Sequence, residues 1–137
     1  MQGKNYSLKL ISHEVKHIRF DVISNKMPIG EIPFSFTSIM KKKNDDEISI
    51  DLVADIHSDD YPIALSLDLN GVFYLKKWES LKMNKDIELK LVQILFPYLR
   101  AIITNVTALT DTTTITLPII NIILFYLIYI YYLMHYY

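Results

Sequence analysis

The sequence predicts an α+β domain: a four-stranded antiparallel meander sheet followed by a long helix and a C-terminal helix, both packed on one sheet face. Two observations carry this. Apolar residues alternate with polar ones at period two through the first half, the mark of strands with one buried face. From about Lys85 the apolar spacing changes to the three-and-four pattern of an α-helix. Strands first and helices afterwards give a sheet covered on its oily side.

The first strand is expected from Tyr6 to Ile23, with Leu8, Leu10, Ile18, Phe20 and Val22 on one side. Lys9, His13, His17, Arg19 and Asp21 fall on the other. Ser12, Glu14 and Lys16 interrupt the apolar side, which predicts a bulge or bend near Val15. Met27-Pro28-Ile29-Gly30 reads as a turn, and a second strand follows over about Glu31–Met40, with Ile32, Phe34, Phe36 and Met40 on one side. The third strand has the cleanest alternation, Ile48, Ile50, Leu52, Ala54 and Ile56 against Ser49, Asp51, Val53 and Asp55. After a turn at His57–Asp60, Ile63, Leu65, Leu67 and Leu69 form the fourth, with a bulge expected at Gly71. The short connections 41–46 and 57–60 favour hairpins.

The long helix region spans 79–110, with Ile87, Leu91, Ile94, Leu95, Tyr98, Leu99, Ile102, Ile103 and Val106 at helical spacing. A proline costs about 3 kcal/mol in a helix interior, so a break is expected near Phe96-Pro97. Pro118 suits the first turn of a last helix over 118–136. The long helix is apolar around most of its girth, more than one sheet face can cover, which predicts self-association. No repeat or linker divides the chain, so residues 1–137 are read as one domain.

Charge and composition narrow the function. With 14 Lys and Arg against 15 Asp and Glu, the net charge is −1, and a nucleic-acid partner is not expected. The absence of cysteine removes disulfides and thiolate chemistry. The N-terminus lacks the apolar core of a signal peptide, and a cytoplasmic setting is expected. Three glycines leave nothing for a phosphate-cradling loop, and no nucleophile–base set or carboxylate pair stands out. No enzyme, metal or cofactor is therefore predicted. His13 and His17 share the polar side of one strand but lie about 13 Å apart, too far to hold one metal.

Residues 115–137 carry no Asp, Glu, Lys or Arg. About 20 apolar residues span a bilayer, so this tail has two readings, a buried helix and a membrane anchor. Six tyrosines between Tyr126 and Tyr137, and no following basic cluster, weigh towards the buried helix.

Within the helical half, Ile94-Leu95-Phe96-Pro97-Tyr98-Leu99-Arg100 followed by Leu117-Pro118-Ile119-Ile120-Asn121 resembles the SecB family of protein-export chaperones. Upstream, His17-Ile18-Arg19-Phe20-Asp21 is similar to that family's first strand and Asn70-Gly71-Val72-Phe73 to the end of its fourth. The resemblance implies a holding chaperone without catalytic turnover, binding unfolded or preprotein clients in a hydrophobic groove beside the last helix. It also implies a homotetramer, a dimer of dimers with the long helices inside. Export members hand clients to the SecA motor through an acidic outer sheet face, and other relatives serve a single antitoxin. This chain departs from the export pattern in its near-neutral charge and in Ser66 at an acidic fourth-strand position. A dedicated chaperone of one partner and a tail-anchored assembly factor are the alternative functions.

Candidate residues follow from this reading. Ile29, Ile32, Phe34, Phe36 and Met40, with Leu124 and Leu127 of the last helix, are the candidate client groove, since aromatic and methionine side chains give large adaptable contacts. Phe96, Leu99, Arg100, Ile103 and Thr107 are the candidate subunit interface. Asp21, Asp51, Asp55 and Asp68 share a polar face that serves either as a docking surface for a basic partner or as a solvated face discouraging aggregation.

Overall fold

A computed structural model describes residues 8–24, 31–76 and 85–109 of the protein. Their order is β1 (Leu8–Val22), β2 (Phe34–Asn44), β3 (Glu47–Ile56), β4 (Ile63–Leu75) and α1 (Lys85–Thr107). All strand pairs are antiparallel and the helix lies on one face, the α+β class expected. The expected last helix over 118–136 lies outside the described residues.

The sheet order is β1-β4-β3-β2, which corrects the simple meander. Strands β2, β3 and β4 do follow one another as hairpins, but β1 crosses to the far edge and pairs with β4. Two physical reasons favour this arrangement. The connection over 23–33 is too long for a tight hairpin. In addition, β4 is buried on both faces near its end, at Asn70 and Val72 as well as at Phe73, so it must be central. The result has the strand order of a Greek key read with the chain reversed.

Alternation places Ile48, Ile50, Leu52 and Ile56 of β3 and Ile63, Leu67 and Leu69 of β4 in a core with essentially no exposure. Burying each such side chain contributes roughly 1.5–3 kcal/mol. From above, α1 adds Ile87, Leu91, Leu95, Leu99 and Ile103, and Asp86 and Glu88 suit the positive end of its dipole. Gly71 is not a bulge. Its β3–β4 register is unbroken, and a Cβ there would lie 3.0 Å from Leu95 Cδ1 and 3.1 Å from Phe73 Cε1. The missing side chain lets the helix settle on the sheet.

The helix runs unbroken through Pro97, against the expected restart. Proline removes one bond to the carbonyl four residues back, that of Gln93. Gln93 and Pro97 both face solvent, so water can serve that carbonyl, while Leu95, Phe96 and Leu99 hold the flanking turns on the core. At the β2–β3 tip the strands reach further than expected. Asn44 Oδ1 accepts the Asp46 amide at 3.0 Å and Asn44 Nδ2 donates to Glu47 Oε1 at 2.9 Å, closing a two-residue turn.

Candidate functional site

Strand β1 carries two bulges where one was expected. Its register against β4 shifts between Leu10 and Ser12 and again between Val15 and His17. Each extra residue reverses the alternation, so the second restores what the first inverted. Between them Ser12 and Glu14 turn to the outer face and His13 and Val15 to the helix face. That accounts for the polar interruption in the sequence. It also separates the two histidines expected on one face: His13 stacks on Tyr98 of α1, ring centroids 4.2 Å apart, whereas His17 sits opposite Asp68 on the outer face.

On the helix face, the proposed groove residues of β2 fall together. Phe34, Phe36 and Met40 alternate inward and are half-buried against the core, with Ile32 preceding them. Phe96 of α1 meets both rings, edge-on to Phe34 at 6.3 Å and tilted to Phe36 at 5.6 Å. The row is not wholly apolar, because Ser38 Oγ donates to Glu88 Oε2 of the helix at 2.6 Å. Ile29, Leu124 and Leu127 lie outside the described residues.

The expected subunit interface needs correction. Phe96, Leu99 and Ile103 pack into one core cluster with the inner side chains of β3 and β4 and are core of the chain's own fold; Thr107 is buried as well. The Thr107 hydroxyl is satisfied within the helix by the Ile103 carbonyl at 2.8 Å. Arg100 is half-buried. The stripe of α1 left exposed carries Ile94, Pro97, Tyr98 and Ala101. Beside it, Val15, Ile18 and Val22 of β1 turn to the same face and stay exposed, 40 % to 45 % each. Sequence reasoning missed this strip, although the misplaced polar trio on β1 was its signal.

Asp21, Asp51, Asp55 and Asp68 do share the outer face, spread over β1, β3 and β4. Asp21 is paired with Arg19 at 2.9 Å, and Asp51 accepts from Asn70 Nδ2 at 2.8 Å. Asp68 Oδ1 is buried between the flanking strands without a hydrogen bond. No three His, Asp or Glu side chains converge as a metal site among the described residues. None of their helices is long and apolar enough to cross a membrane, and the uncharged tail lies outside them.

No known family model matches the chain. A curated protein of Methanocaldococcus jannaschii, described as "Uncharacterized protein MJ0357", is 31% identical over 126 residues, covering 85% of this chain and 80% of the relative. The chain belongs to the family of this archaeal protein. Among solved structures, the Mycobacterium tuberculosis SecB-like chaperone Rv1957, in complex with a ChAD peptide from the antitoxin HigA1, superposes with a TM-score of 0.63 at 12% identity. The match covers 83% of this chain and 88% of that one. A Streptococcus agalactiae protein of unknown function matches with a TM-score of 0.54 at 16% identity, over 84% and 99% of the two chains. The protein thus has a SecB-like fold, in which β1–β4 and α1 carry the shared architecture.

Proposed function

We propose that the protein is a SecB-like holding chaperone, a binding protein that shields apolar segments of unfolded clients without cofactor or turnover. The observation that carries this reading is the half-buried row Ile32, Phe34, Phe36 and Met40 beside Phe96, on the helix face of a SecB-like sheet. Half-exposed aromatic and methionine side chains offer large contacts without demanding one client sequence. Purified protein should suppress aggregation of several unrelated unfolded proteins. Phe34→Ala with Phe36→Ala should weaken that suppression while circular dichroism stays unchanged. Loss of the fold would instead assign both rings to the core.

A second reading is a chaperone dedicated to one partner. The neighbour of known structure was solved with an antitoxin peptide, which favours it. Suppression confined to one client, with none for unrelated proteins, selects this reading, and suppression of nothing defeats both. Delivery to SecA through Asp21, Asp51, Asp55 and Asp68 belongs to the export version and is tested by Asp51→Lys with Asp55→Lys in a SecA-binding assay.

Assembly is part of the same proposal. The exposed strip of Val15, Ile18, Val22, Ile94 and Tyr98 supports self-association through β1 and the open side of α1. Light scattering should report about four chains, the number the SecB resemblance implies, and Ile18→Glu with Ile94→Glu should reduce it. A stable monomer in the unaltered protein defeats the assembly.

A further inference from the structure

The outer sheet face is not uniformly acidic. At the end nearest the β2–β3 hairpin, one cross-strand row runs Ser12, Val72, Ser49, Lys41 over all four strands. An open trough of about 480 Å³ covers this row and reaches into the next, where Glu14 and Asn70 complete its lining. Its floor is Val72 and the Ser49 hydroxyl, and Ser49 Oγ accepts from Asn70 Nδ2 at 2.9 Å. The two ends are basic. Lys16, the second bulge residue of β1, stands at one end; Lys41 and Lys43 of β2 stand at the other. Among the described residues Lys16, Lys41 and Lys43 have no ion-pair partner, whereas Lys42 meets Asp45 at 3.4 Å.

We infer that this trough binds an acidic, extended polypeptide segment lying across the strands. Charge complementarity chooses the sign of the ligand. Geometry sets its length: three strand spacings separate the edges, about 14 Å, which an extended chain covers in about four residues. Carboxylates at the two ends of such a segment reach Lys16 and the Lys41–Lys43 pair together, while Ser12 and Ser49 hydrogen-bond what lies between. Polypeptide is favoured over nucleic acid by what surrounds the row. Its lining has no phenylalanine, tyrosine or tryptophan on which bases could stack, and Glu14 in the lining with Asp51 in the next row confines the positive charge to the two ends, which suits separate carboxylates placed at those ends and repels a continuous phosphate backbone. The trough lies on the opposite side of the sheet from the client groove and does not depend on it.

The test is fluorescence anisotropy on the full chain with three labelled probes: a ten-residue alternating Glu-Ser peptide, its Gln-Ser counterpart and a ten-nucleotide uridine RNA. The Glu-Ser peptide should bind about tenfold or more tightly than the Gln-Ser peptide, and weaken as salt rises, since exposed pairs are screened. A triple Lys16→Glu, Lys41→Glu, Lys43→Glu variant should lose that preference, and the corresponding Lys→Arg triple should keep it. Both variants should still suppress client aggregation as the unaltered protein does, which separates this site from the helix-face groove. Equal binding of the Glu and Gln peptides, undiminished binding by the Glu triple variant, or tighter binding of RNA would each overturn the inference.

Discussion

The two edge strands of the sheet are built from similar numbers of apolar residues but meet α1 differently. On β2, Phe34 and Phe36 close on Phe96 of the helix. On β1, Val15, Ile18 and Val22 turn to the same face and remain open, touched by the helix chiefly where Tyr98 stacks on His13. A helix about 10 Å across cannot cover four strands spaced about 4.8 Å apart. The difference therefore separates two kinds of surface: on the β2 side a half-buried aromatic row closes on Phe96, and on the β1 side aliphatic side chains of the same sheet face stay open.

The sharpest way to break that contrast is to remove one ring on each side. Phe96→Ala should cost about 3–5 kcal/mol, the usual penalty for emptying a buried aromatic site, read as a lower midpoint in urea. Tyr98→Ala should cost about 1 kcal/mol, because the ring is 40 % exposed and its main loss is the histidine contact. Equal penalties would show that the β1 side is as much core as the β2 side.

Next in size is the close approach at Gly71, which sits beneath α1 between the two halves. Gly71→Val should destabilise by about 1–3 kcal/mol, the range for overpacking a filled core, since even the first carbon meets Leu95 at 3.0 Å. Leu95→Ala in the same chain should recover part of that loss by making room. Additive penalties in a double-mutant cycle would place the clash elsewhere.

These sites differ in how legible they were in the sequence. The alternation on β3, Ile48 to Ile56, sits in the middle of the sheet with its inner side chains wholly buried, so pattern and structure coincide there. On β1 the same rule assigned His13 to the wrong face, because two bulges cancel and leave both ends of the strand in phase; periodicity registers only the disturbed middle. Phe96, Leu99, Ile103 and Thr107 are read from the sequence as a subunit interface, but helical spacing does not say whether a buried side chain's partner is the same chain or another. Pro97 misled for a related reason: local propensity predicts a break, and the core contacts on either side outweigh it. Strand order was beyond alternation altogether, since the placement of β1 depends on the length of 23–33 and on which strand is buried twice.

The smallest expected effect concerns the end of the sheet where β1 and β4 are tied together. Ile23 and Ser24 amides donate to the Pro62 carbonyl at 2.7 Å and 3.1 Å, and Tyr61, the residue before, is buried in the core cluster. Burial pushes the Tyr61 hydroxyl above its ordinary value of 10.0, because the charged phenolate is poorly solvated there. A group whose folded-state value is raised contributes stability that is complete below its unfolded value and is lost as pH rises through the folded one. Stability should thus be insensitive to Tyr61 at neutral pH and should fall as pH climbs past about 10. In Tyr61→Phe that part of the alkaline loss should vanish, leaving the slope due to other groups. Since the shift comes from desolvation alone, added salt should leave it nearly unchanged; a strong salt dependence would assign it to a neighbouring charge and detach it from the packing that joins β1 to the rest of the sheet.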